Sequence, residues 1–323
     1  MNSSRISSTL LFSTIFILGA CTRLTLPAAP KAPKAPDFRV LTYSSMTGEG
    51  SLGVEIEKVF ERRCRESAKP LSCNLILIPE EGESSLVSTF IARPAGFDAI
   101  LGLETLQVAQ LKERKEVARS ELFSRGPHAF IVDTKVWKDS SKWPHSWKDL
   151  AKFPKSVFVQ DPRVSSVGIG WLKAIFSQKL ISLADAKIIT KKVFPSWSLS
   201  YAAFQKKGAP LVWSYQSSEA YHRCEEKTDR YRVLPLDEGY PVQEEFVVVP
   251  GTTLSEEAKL FMDVVLSDEI QSQIPLKNWM WPASSTTAVP ECFTQTTPVK
   301  TLGEGDAKQS AAHLREWMDQ WSL

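Results

Sequence analysis

Short continuous apolar runs separated by segments of helical spacing constrain this chain more than any other feature. CNLILI (73–78), FDAILG (97–102) and AFIVD (129–133) are too short for helices and carry few polar breaks, the mark of strands covered on both faces. A first strand, FRVLTY (38–43), alternates and runs into a turn rich in Gly and Ser. Leu52 to Arg65 then has apolar residues at helical spacing (Val54, Ile56, Val59, Phe60), and Ser84 to Ala92 returns to helical character. Such alternation predicts an α/β fold of mixed, largely parallel sheets with crossover helices. AFIVD is expected to leave the first sheet, and the strand at 238–249 (EGYPVQEEFVVV) to bring the chain back. Ser146 and Ser255 read as helix caps.

The first 20 residues hold Arg5 and an apolar run from Leu10 to Ala20, the layout of an export signal and too short for a permanent bilayer span. Leu18-Gly19-Ala20-Cys21 resembles a lipobox, in which Cys21 is acylated; cleavage by an ordinary signal peptidase is the alternative. Residues 21–37 include PAAPKAPKAP, where proline fixes φ and removes donors, so a semi-extended tether is expected. The rest is long enough for about two lobes. A net charge of +2 gives no reason to expect a nucleic-acid partner.

Residues 195–221 (PSWSLSYAAFQKKGAPLVWSYQSSEAY) concentrate rings among hydroxyls and amides, which suits a surface gripping a flat, partly polar small molecule. Phe204 and Trp213 are expected in the core, whereas Trp197, Tyr215 and Tyr221 sit near a helix start or strand end, where α/β proteins hold ligands. Tyr43, Glu81 and Asp98 lie at or near strand ends as well, although a solvated turn explains Glu81 equally well. Ser165 to Gly170 follows the strand VFVQDPR as a turn of small residues whose N–H groups could face an anion; a helix cap and tight turn would also account for it. Asn278 to Pro282 (NWMWP) reads as an aromatic loop, and 313–321 as a closing amphipathic helix. Cys64 and Cys73 could join a helix end to a strand start, while Cys224 and Cys292 have no assigned state. Dispersed histidines and the lack of CxxC or HxxxH spacing argue against a metal site.

QDPRVSSVGIG (160–170), SWSLSYAAF (196–204), SYQSSEAYHRCEEKTDRY (214–231), EGYPVQEE (238–245) and IPLKNWMWP (274–282) together resemble the thiamine-binding periplasmic proteins of bacterial ABC importers. The resemblance runs in one order from Phe38 to the C-terminus. It implies a two-lobed periplasmic-binding-protein fold of type II with a two-strand hinge, related to the iron(III)-binding proteins. Approximate lobes are 38–124 with 249–323, and 125–248. The positions that match family ligand contacts are Tyr43, Glu81, Gly82, Ser165, Ser166, Trp197, Tyr215, Gln216, Ser217, Ser218, Tyr221 and Trp279. The resemblance further implies no cofactor or catalysis, a ligand of thiamine or its mono- or diphosphate, a permease partner and a monomer. Where the family usually has Asp-Tyr-Gly-Tyr, this chain has Ser124-Arg125-Gly126-Pro127-His128-Ala129, and Arg125 could favour a phosphorylated ligand or alter the hinge.

Two alternatives stay open. The same fold could carry another solute such as an iron(III) chelate, against which Trp197 and Trp279 count. An enzyme with Ser165 or Ser166 as nucleophile would need a His-acid partner and a strained elbow, neither visible in the sequence.

Overall fold

The computed structural model describes residues 37–80, 85–251, 255–303, 305 and 307–322. The expected export signal, Cys21, most of the tether, Glu81 and Gly82 lie outside them.

In the first lobe, β1 (Phe38–Tyr43), α1 (Leu52–Glu66), β2 (Leu75–Glu80), α2 (Ser85–Ala92), β3 (Ala99–Glu104) and α3 (Thr105–Glu113) alternate as the apolar runs predict. β1 pairs in parallel with both β2 and β3. β2 departs from expectation in two ways. It is the outer strand, with Leu75 buried but Ile76 exposed, so it is not covered on both faces. It also runs through Pro79, which an edge strand tolerates because its missing N–H leaves no ladder bond broken.

The chain then enters β4 (Val117–Asp133), far longer than the expected AFIVD. Its first part pairs antiparallel with a later strand and its last part, from His128, pairs with others in the second lobe. Polar residues and the Gly126-Pro127 pair hide this strand from a periodicity reading. Gly126 packs closely on Met280, whose thioether would have to shift to admit a Cβ 2.7 Å from its Sδ.

In the second lobe follow α4 (Trp147–Leu150), β5 (Val157–Gln160), α5 (Ser166–Leu172), α6 (Leu183–Ile189), β6 (Thr190–Phe194), α7 (Trp197–Gln205), β7 (Leu211–Tyr215), α8 (Ser217–Cys224) and β8 (Tyr231–Val233). Ser146, Ser182 and Ser196 each accept a backbone N–H from the third residue onward, caps worth about 1 kcal/mol apiece. The small residues 166–170 form the opening turns of α5 rather than a loop. Gly168 there allows close approach to the Pro162 backbone, and Gly170 lets the His128 ring in, a Cβ at 170 falling 2.1 Å from its Nε2.

β9 (Tyr240–Pro250) returns antiparallel along β4 and pairs with β3. The strand order β2-β1-β3-β9-β4-β7-β5-β6 is thus one sheet in which β4 and β9 are shared between lobes. Two buried clusters flank this crossing, one around Phe60, Leu101, Phe123 and Phe261, the other around Phe130, Trp147, Trp171 and Trp213. α9 (Glu256–Val265), α10 (Asp268–Gln271) and α11 (Ile274–Lys277) close the first lobe; Ser255 caps α9 through the Ala258 N–H.

β10 (Trp281–Pro282), α12 (Glu291–Thr294), β11 (Thr301–Leu302) and α13 (Ala307–Trp321) complete the chain. Of the stretch 249–323 expected in the first lobe, α13 buries Ala311, Leu314, Trp317 and Trp321 in the second cluster. Trp317 stacks on Phe176 and Trp321 meets Trp171 edge-on. Apolar pattern alone gives α13 a buried face but not the lobe that covers it. Two disulfides form: Cys64–Cys73 ties α1 to the start of β2, and Cys224–Cys292 ties α8 to α12.

Candidate ligand cleft

The two lobes meet through a hydrogen-bonded chain of side chains across the hinge strands. Tyr215, at the end of β7, packs on both hydrophobic clusters and donates its hydroxyl to Gln243 Oε1 at 2.9 Å. The same hydroxyl lies 3.4 Å from Ser166 Oγ at the start of α5. Gln243 Nε2 donates to Glu245 Oε1 at 3.2 Å, two residues along the same face of β9. Glu245 Oε2 then accepts from Ser124 Oγ at 2.8 Å, Tyr43 OH at 3.2 Å and Asn278 Nδ2 at 3.5 Å. Tyr43 stands at the carboxyl end of β1 and Ser166 follows that of β5, so the crevice lies where parallel strands of such folds present ligands.

Glu245 is 4% exposed, and burial raises its carboxyl pKa against the lowering effect of the Ser124, Tyr43, Gln243 and Asn278 hydrogen bonds. Sequence reading missed it, although it lies inside the EGYPVQEE segment; a carboxylate in a strand carries no local sign that it will be buried between lobes.

An aromatic wall is anchored on residues next in the chain to this floor, Ser214 beside Tyr215 and Trp279 beside Asn278. Trp197 begins α7, is 37% exposed, stacks on Tyr201 at 4.9 Å and 30°, and donates Nε1–H to Ser214 Oγ at 2.7 Å. Ser214 Oγ lies 2.8 Å from Ser218 Oγ on α8. Tyr221, also on α8 and exposed, meets Trp279 edge to face at 4.9 Å and 80°. Hence Trp197 and Tyr221 are both joined to the junction of β7 and α8, and Trp279 reaches it from the end of α11. Phe204 and Trp213 are fully buried, as expected for core.

Several candidate residues face inward. Ser165, Ser166, Ser217 and Ser218 are buried, and the Gln216 amide donates to Thr296 Oγ1 at 3.1 Å and to the Thr297 carbonyl at 2.9 Å. Asp98 accepts the Arg39 N–H at 2.8 Å and so braces the sheet. Arg125 pairs in register with Glu244, one residue out of phase with the Ser124–Glu245 pair, so it points to the other face of the hinge. There it lines a cavity of about 390 Å³ with Pro127, Gln216, Val242, Glu244 and Trp281.

His128 lies behind the floor, stacked on Trp213 at 5.4 Å and Tyr215 at 5.1 Å. Burial, with Lys173 nearby, brings its pKa down to about 3, so the ring is neutral near pH 7. Lys173 pairs with Glu104 at 3.0 Å, both side chains almost wholly buried, joining the start of α3 to the end of α5.

Residues 77–274 match the family model of bacterial extracellular solute-binding proteins. The chain belongs to that family. Among similar proteins of known sequence, the thiamine-binding periplasmic proteins of Salmonella typhimurium and Escherichia coli are 30% and 29% identical, covering 92% of this chain and 96% of each of theirs. Among solved structures, a periplasmic thiamin binding protein superposes with a TM-score of 0.75 at 26% identity, covering 92% of this solute-binding protein and 98% of that chain. The apo ferric ion-binding protein A of Pasteurella haemolytica shares the fold, with a TM-score of 0.71 at 12% identity. These matches make the architecture a type II periplasmic-binding-protein fold and the role solute binding rather than catalysis.

Proposed function

We propose that this solute-binding protein captures thiamine, or a thiamine phosphate, between its lobes and delivers it to an ABC importer from the periplasmic side of the membrane. The observation that carries the reading is the pairing of a half-exposed aromatic wall with a buried carboxylate floor, in a chain similar along most of its length to proteins named for thiamine binding. Thiamine joins a thiazolium cation to an aminopyrimidine. Ring faces of Trp197, Tyr221 and Trp279 suit the cation through their quadrupoles, and Glu245 supplies a counter-charge when ionised. The Tyr43 hydroxyl can exchange its bond to Glu245, and Ser166 and Tyr215 their mutual contact, for bonds to the ligand, with Ser165 at the cap of α5 beside a phosphate ester.

Closure follows from differential contact. A ligand that touches Tyr43 and Asn278 on one side and Trp197 and Tyr221 on the other stabilises the arrangement in which both are near, so its free energy shifts the hinge equilibrium. Lipid attachment at Cys21 would keep the loaded protein close to the permease.

Isothermal titration of purified protein with thiamine, its monophosphate and its diphosphate tests the ligand, with iron(III) citrate as the competing solute. Saturable binding of a thiamine form is expected. Binding of iron(III) alone, or of nothing, refutes the assignment. Membrane fractionation of wild type against Cys21→Ser tests the anchor, which predicts release of the variant into the soluble fraction.

A further inference from the structure

We propose that the Cys224–Cys292 cross-link is a positioning device for the binding wall: it clamps α12 onto α8 so that Trp279 is presented to Tyr221. This rests on the reading of that wall as the ligand surface.

Tyr221 and Cys224 lie one turn apart on α8, hence on one side of the helix. The partner Cys292 precedes Phe293, which is buried and lies parallel to the Trp279 ring at 6.1 Å and 11°. Phe293 also meets Trp281 edge-on at 5.1 Å. One short helix therefore carries both the sulfur that grips α8 and the ring that backs Trp279. Trp279 itself has φ of +54°, a region that bulky L-residues occupy only when their surroundings hold them there.

The segment just beyond α12 is stapled to the same helix. Gln216 donates to Thr296 and Thr297, and the fully buried Glu219 accepts the Thr297 N–H at 3.2 Å and its hydroxyl at 3.3 Å. Arg223 holds Glu219 in place at 2.9 Å. α11 belongs to the first cluster and α8 to the second lobe, so these bonds fix a loop rooted in one lobe against a helix of the other. Hydrogen bonds to α8 locate the 296–297 end, and the covalent link to α8 lies next to Phe293. Cys64–Cys73, inside the first lobe, has no such role.

Protein labelled with fluorotryptophan, its Trp279 resonance assigned by loss in Trp279→Phe, provides a readout without ligand. In Cys224→Ser/Cys292→Ser that resonance is expected to move or broaden, and thiamine affinity to fall about 3- to 10-fold, the scale of a ring–ring contact. Cys64→Ser/Cys73→Ser is expected to change neither. Phe293→Leu, which keeps the cross-link, should reproduce both effects, and combining it with the cysteine pair should add less than the sum. An unchanged resonance and affinity in the cysteine variant overturn the proposal; if that variant does not fold, the same result in Phe293→Leu overturns it. If no form of the protein binds thiamine, the ligand assignment fails while the fluorine resonance alone still decides the positioning.

Discussion

Glu245→Gln is the sharpest probe of the cleft floor. The folded carboxyl holds its proton to higher pH than the ordinary value of 4.5, because burial outweighs the hydrogen bonds that favour the anion. A group of this kind contributes stability that is fully present below 4.5 and lost as pH rises through the folded value. Each pH unit in which the folded protein keeps the proton and the unfolded chain does not removes about 1.4 kcal/mol. Glutamine cannot titrate, but its amide NH2 would face the Ser124 hydroxyl, which can turn to accept, and Asn278 Nδ2, which cannot. At acid pH the variant should therefore be less stable by about 1–3 kcal/mol, the range for a mismatched buried polar group. Urea melts of both proteins should show this gap shrinking from pH 4.5 toward neutrality. His128, destabilising only as pH falls from its ordinary value of 6.5 toward about 3, acts on both proteins alike and cancels in the difference. A cationic ligand beside Glu245 would favour the anion, so at pH 4.5, where the raised pKa leaves the folded carboxyl mostly protonated, thiamine binding should release a proton that calorimetry in buffers of different ionisation enthalpy detects, and the variant should lose that release. A stability gap that is flat or widens as pH rises refutes the reasoning; binding at pH 4.5 without proton release removes Glu245 as counter-charge.

Further substitutions test the aromatic wall and the packing behind it. Trp197→Ala should weaken thiamine about 5- to 30-fold through loss of a cation–π face, while costing about 1 kcal/mol of stability for the Tyr201 stack; a titration and a melt on one sample check both. Gly170→Ala drives a methyl into the buried His128 ring and should cost about 3 kcal/mol in a urea melt, whereas Gly251→Ala, in open space at φ +86°, should cost only its local strain. Lys173→Met removes the buried counter-charge of the Glu104 carboxylate and should cost about 3–5 kcal/mol, of which Glu104→Gln in the same chain should restore most; additive losses would show that the two do not act as a pair.

Sequence pattern sufficed for whatever depends on near neighbours along the chain. The segments FRVLTY, FDAILG and VFVQ became β1, β3 and β5, the serines at 146 and 255 cap their helices, and Phe204 and Trp213 are core. Linked segments from 160 to 282 carried the family resemblance, because fold and wall residues there are set by side-chain type. The length of β4 was not legible, since its polar half becomes a strand only when β9 returns to pair with it. Nor was the lobe that covers α13, or the side of the hinge toward which Arg125 points, as one residue of register reverses a side chain. Tertiary structure alone buries Glu245 among Ser124, Tyr43, Gln243 and Asn278 and joins Cys224 to Cys292. Those partners lie on different elements, as far as 235 positions apart for Tyr43 and Asn278. Periodicity reports which face of an element is covered. What covers it, and which charge is shut in, depends on how the distant elements dock.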